Sequence, residues 1–74
     1  MRIVYPNLVG EIAKRGIRRK DIASVLGISE RALYTKLSGR VSFTWDEVVS
    51  MTERFFPGMN QMELFRKAVE EKLE

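Results

Sequence analysis

Seventy-four residues, 45% of them hydrophobic and 31% charged, with five glycines, two prolines and neither cysteine nor histidine, describe one small helical domain. The missing cysteines and histidines exclude disulfides, the usual zinc sites and the Ser-His-Asp and Cys-His nucleophile systems. The net charge of +3 hides an asymmetry, because residues 1–40 carry nine Lys/Arg against three acids and residues 41–74 carry four against seven. The balance of +6 on the first half and −3 on the second points any polyanionic partner at the first half.

A first helix is expected near 6–15, opened by Pro6, whose missing N–H has no partner to lose in an opening turn, and closed at Gly16-Ile17. A second, near 19–26, follows Ile17-Arg18 with Asp21 in its first turn and stops at Gly27-Ile28, where glycine tolerates the left-handed conformation and the next residue folds back. A third, near 30–38, has Ser29 as cap and Gly39 beyond its end. Phe43-Thr44-Trp45-Asp46-Glu47-Val48 reads as a capping box with a hydrophobic staple, opening a fourth helix near 45–56 that Pro57-Gly58 ends. Met59-Asn60-Gln61-Met62-Glu63-Leu64 repeats that layout and predicts a fifth over 61–72.

Apolar residues recur at intervals of three and four within each span: Leu8, Val9, Ile12 and Ala13; Ile22, Val25 and Leu26; Leu33 and Leu37; Val48, Val49, Met51, Thr52, Phe55 and Phe56; Leu64, Phe65, Ala68, Val69 and Leu73. The runs Arg2 to Tyr5 and Arg40 to Phe43 have some strand propensity but no partner run for a hairpin. The expectation is an all-α, compact five-helix bundle forming one domain over 1–74. No apolar run approaches the length of a membrane span, and MRIVYPN lacks the apolar segment of a signal peptide, so a cytoplasmic protein is expected.

Catalysis finds no foothold in this pattern. No phosphate-cradling glycine run is present, and the adjacent pairs Asp46-Glu47 and Glu70-Glu71 diverge on a helix rather than converge on a substrate. No enzyme, cofactor, metal or small-molecule ligand is expected.

The stretch Arg19 to Ser38 has the spacing of a helix-turn-helix: Ile22, Leu26, Ile28 and Leu33 facing the bundle, small Ala23 where two helices cross, and Gly27 at the sharp turn. At this point DIASVLGISERALYTKLSGR, followed by FTWDEV and an FFP run, resembles the helix-turn-helix domain of phage Cro and repressor proteins, the lambda-repressor-like or XRE group. Within it the chain is similar to small prophage-encoded DNA-binding proteins of Gram-positive bacteria. The resemblance extends over residues 5–65 and is motif-like from Ile22 to Gly39. One departure is Lys36, three residues after Leu33, where the family commonly carries another apolar residue.

With Leu33 and Leu37 inward, Arg31, Thr35 and Ser38 fall on the opposite side of the third helix, with Ala32 and Tyr34 on its flanks. The resemblance implies that residues near the start of this helix and one turn later contact base edges in a major groove, which matches Glu30, Arg31 and Thr35. Arg31 can pair bidentately with guanine, Glu30 can accept from cytosine N4, and Thr35 can touch a thymine methyl; Tyr34 and Ser38 complete the base-reading set. Arg18, Arg19 and Lys20 at the start of the second helix, Ser29, Lys36, and Arg40, Ser42 and Thr44 beyond the recognition helix are the expected phosphate contacts. Each has a plainer reading as a cap, a packed ring or a solvated charge.

Trp45, Val48, Val49, Thr52, Phe55 and Phe56 are expected to cap the bundle. The stripe Met62, Phe65, Val69 of the fifth helix, or the loop before it, is the expected surface of a homodimer on a palindromic operator. The functional expectation is a Cro- or repressor-like regulator that binds double-stranded DNA and acts by occupying an operator. Two rivals are a protein-interaction adaptor or anti-repressor that uses helices four and five, and a winged fold with Arg40 to Thr44 as wing. The capping box at Thr44, which starts a helix directly after that loop, argues against the wing.

Overall fold

A computed structural model of the chain describes residues 3–68, and helices are the only regular elements among them. They are α1 (Pro6–Lys14), α2 (Arg19–Leu26), α3 (Glu30–Leu37), α4 (Trp45–Phe55) and α5 (Gln61–Leu64). The first four lie within one residue of the expected bounds.

Their starts follow from side-chain chemistry. Ser29 Oγ accepts the Ala32 N–H at 3.0 Å and Asn60 Oδ1 accepts that of Glu63 at 3.0 Å. Thr44 and Glu47 close a full capping box, Thr44 N–H donating to Glu47 Oε1 at 2.9 Å and Glu47 N–H to Thr44 Oγ1 at 3.1 Å. α2 opens at Arg18 without a side-chain cap.

The stops of the first three helices share one hydrogen-bond pattern. Ile17 N–H reaches back to Ile12 O at 3.0 Å, Ile28 N–H to Ala23 O at 3.0 Å, and Arg40 N–H to Thr35 O at 3.2 Å. The turn depends on a left-handed residue, supplied by Gly27 at φ 72° between α2 and α3 and by Gly39 at φ 87° after α3. Gly39 is constrained twice, since a Cβ there would lie 3.0 and 3.2 Å from the two methyls of Val4, whereas one at Gly27 would meet nothing within 4 Å.

All five helices feed one apolar core. Leu8 and Ile12 of α1, Ile22 and Ala23 of α2, Leu33 and Leu37 of α3, Met51 of α4 and Leu64 of α5 are buried in it with Tyr5 and Phe56. α2 packs on both α3 and α4, and α5 on α1 and α4. Arg15 ties α1 to the end of α4: its guanidinium donates to Phe55 O at 3.1 Å, pairs with Glu11 at 3.0 Å and sits 5.3 Å from the centre of the Phe56 ring.

Two expectations for the second half are corrected. The helix expected over 61–72 ends at Leu64, because its apolar residues are used otherwise. Phe65 turns edge-on to Phe43 and Tyr5, at centroid distances of 5.3 and 6.1 Å, and the Tyr5 and Phe43 rings close the triangle at 5.5 Å. The backbone then runs beside the N-terminal segment, with Ala68 N–H donating to Val4 O at 2.8 Å. Met62 is exposed while Phe65 packs inward, so these two members of the stripe Met62, Phe65, Val69 do not share an outer face; Val69 to Leu73 lie outside the described residues. Trp45 also departs from its expected capping role, being 64% exposed. It stands in the first turn of α4, at the edge of the core, where Phe43 supplies the aromatic that packs inward.

These contacts give two measurable expectations. Gly27→Ala should cost ~1–3 kcal/mol through backbone strain alone, and Gly39→Ala more, because of the Val4 contact. In denaturant titrations, Val4→Ala should recover part of the Gly39→Ala loss and none of the Gly27→Ala loss. The Tyr5 phenol is raised above its ordinary value by desolvation on burial. A raised folded-state value means that stability is constant below the ordinary tyrosine range and declines as pH climbs through and beyond it; Tyr5→Phe should remove part of that alkaline decline in urea midpoints measured between about pH 9 and 11.

Candidate nucleic-acid interface

α3 is two turns long and buries one stripe, Leu33 and Leu37. At 100° per residue this puts Arg31, Thr35 and Ser38 opposite that stripe and Tyr34 on a flank; Arg31 is exposed as expected, and the flanking Tyr34 is exposed too, by 57%. Glu30, in the opening turn beside the Ser29 cap, is exposed too. Thr35 and Ser38 are half-buried, and their hydroxyls donate to their own helix, Thr35 Oγ1 to Arg31 O at 3.0 Å and Ser38 Oγ to Thr35 O at 2.7 Å. With its proton so engaged, Thr35 has a methyl and lone pairs left to present, which suits contact with an apolar group better than donation.

The cations around α3 divide by whether a carboxylate already holds them. Arg19, Lys20, Arg31 and Arg40 are exposed, and no carboxylate among the described residues lies within ion-pair distance of them. Arg18 pairs with Asp21 at 3.3 Å, but both side chains are largely solvated, and such a pair is weak enough to exchange for another anion. Ser29 and Thr44 spend their oxygen lone pairs on capping and keep a hydroxyl proton to donate. Ser42 is exposed.

Lys36 differs from the rest of the expected phosphate set. Its side chain is 12% exposed and its Nζ lies 3.1 Å from Glu47 Oε1, itself on a side chain 14% exposed. Nζ also donates to Ser42 O at 3.3 Å. The reason is rotational: Lys36 is on the flank of α3 that faces the start of α4, so it is enclosed rather than presented. Glu47, whose spacing from Thr44 marks it as a capping acid, thus has a second task that only the folded chain reveals. The one hint of it in the sequence is a lysine three residues after Leu33, where a helix flank begins to be covered.

Away from α3, an open groove of about 450 Å³ runs between α1 and the α4–α5 turn, lined by Pro6, Gly10, Lys14, Met59 and Leu64 among others. Its two carboxylates have basic partners, Glu11 with Arg15 and Lys14 and Glu63 with Arg66. Among the described residues no group of three or more acidic side chains is placed to hold a metal ion, and no helix is long and apolar enough to cross a membrane.

Comparison with protein-family models, with curated proteins and with solved structures finds no match to this chain.

Proposed function

We propose that the chain binds double-stranded DNA sequence-specifically and regulates transcription by occupying an operator, as Cro- and repressor-like proteins do. The observation that supports this most is the distribution of cations. Arg31 stands outward on α3, Arg19 and Lys20 open α2, Arg40 follows α3, and none of them has a carboxylate partner among the described residues. Bases without carboxylate partners among the described residues, placed before, on and after a two-turn helix with an exposed face, suit an external polyanion. The resemblance of Ile22–Gly39 to a helix-turn-helix supports the same reading, with α2 and α3 as the two helices and Gly27 at the turn.

In this reading α3 enters the major groove. Arg31 pairs with guanine O6 and N7, Glu30 accepts from cytosine N4, and the Thr35 methyl touches thymine, while Tyr34 and Ser38 flank them. Arg18, Arg19 and Lys20 from one side and Ser29, Arg40, Ser42 and Thr44 from the other hold phosphates and set the register. Two copies on a palindromic site suit a domain this small, since one eight-residue helix reads few base pairs. The adaptor alternative is less well supported. α5 spans four residues, its Leu64 is fully buried and Phe65 sits in the aromatic triangle, so the large exposed apolar side chains that α4 and α5 offer are Trp45 and Met62, one on each.

Selection from a random duplex library, followed by titration against the selected and a scrambled duplex, tests the proposal; absence of salt-sensitive retention on any duplex would overturn it. Arg31→Ala should cost ~1–3 kcal/mol on the selected duplex and relax preference at one base pair. Arg19→Ala should weaken binding to both duplexes alike and lower the slope of log affinity against log salt by ~0.9 for each phosphate the variant no longer neutralises.

A further inference from the structure

We infer that Lys36 is a positioning residue for the DNA interface, fixing the angle between the reading helix and the phosphate-holding loop; this rests on the DNA reading above. One oxygen, Glu47 Oε1, receives both the Lys36 ammonium at 3.1 Å and the Thr44 N–H at 2.9 Å. The last turn of α3, the cap of α4 and the carboxylate between them are therefore one hydrogen-bonded unit. The ammonium also holds Ser42 O at 3.3 Å, which attaches the middle of the loop to the same point. From its other side that loop is anchored by Phe43, wedged edge-on between Tyr5 and Phe65.

The consequence follows from what each part carries. Arg31 and Thr35 are on α3, and Arg40, Ser42 and Thr44 are on or next to the loop. Phosphate contacts fix how a protein sits on the duplex, so the orientation of the loop relative to α3 decides which base edges Arg31 can reach. Both side chains of the pair are largely removed from water, so losing either leaves a charge that the surroundings do not compensate. The link thus favours a single relative placement of reader and grip, and it does so with a lysine that touches no DNA.

The test uses the full chain and the duplex selected by the unaltered protein. Lys36→Met should reduce discrimination between selected and scrambled duplex by about tenfold, the size of coupling usual between contacting residues. It should leave the salt slope unchanged, and the Thr44 amide should exchange faster with solvent while the Leu33 amide does not. Lys36→Arg, which keeps the pair, should restore discrimination. Glu47→Gln, which keeps an acceptor for the Thr44 amide but removes the charge, should resemble Lys36→Met and supplies the measurement if the methionine variant does not fold. A salt slope lowered by ~0.9 with discrimination intact would make Lys36 an ordinary phosphate contact. A lower melting temperature with slope and discrimination both intact would make it structural only, and either result overturns the inference. If the unaltered protein shows no salt-sensitive retention, the DNA reading itself falls and this inference with it. Normal binding by the unaltered protein and by both variants would reject the positioning role alone.

Discussion

An eight-residue helix has no useful stability of its own, because nucleation fixes several residues for each hydrogen bond gained. α2 and α3 are both of that length; each is stopped abruptly by a glycine and a backbone hydrogen bond, and after α2 the next residue, Ile28, packs onto the core. Ile28 N–H on Ala23 O makes the reversal between them, and it requires the left-handed backbone that Gly27 supplies. Had α2 continued one turn further, Ser29 would not be free to cap α3 and Leu33 would not face Ile22. The exposed placement of Arg31 and Tyr34 descends from the same turn, since the direction in which α3 leaves it settles which of its residues are inward.

The second constraint is closure. α1 and α5 meet, the backbone at Ala68 bonds Val4, and Val4 packs against Gly39 at the stop of α3. Tyr5, Phe43 and Phe65 come from three segments distant in sequence and meet edge to edge, a geometry that aromatic quadrupoles favour. The loop after α3 is therefore held by both ends of the described chain. In so small a domain, with little core to spare, such contacts hold segments that no helix can.

Local chemistry makes most of the fold visible in the sequence. Caps at Ser29, Thr44 and Asn60, a proline at position 6 and glycines at 16, 27 and 39 act within a few residues of themselves, so the sequence displays them directly. What it conceals is long-range. The spacing of Leu64, Phe65 and Ala68 reads equally as a helix face or as one buried leucine followed by a ring that leaves the helix, and the choice is made by Tyr5 and Phe43, both remote along the chain. Trp45 lies on the apolar side of α4 by period, yet the core ends before it. The candidate interface is legible in the same uneven way: the exposure of Arg31 follows from helical rotation, whereas Tyr34 is more exposed and Thr35 and Ser38 less exposed than rotation alone gives, and the enclosure of Lys36 depends on where α4 begins.

That enclosure also clarifies the charge asymmetry. The acids of the second half include Glu47 and Glu63, which are engaged with Lys36 and Arg66, and in the first half Glu11 holds Arg15 and Asp21 meets Arg18. These pairs serve caps, helix ends and loop placement, and they draw some of the positive charge into the framework. Among the described residues, Arg19, Lys20, Arg31 and Arg40 in the first 40 positions remain without a carboxylate in reach, as do Arg54 and Lys67 in the second half. An overall charge of +3 understates this, because acids outside those pairs, such as Glu30, Asp46 and Glu53, subtract from the sum. Surface repulsion among the exposed cations is an energetic disadvantage in the free protein. An anionic duplex, as proposed above, would relieve it.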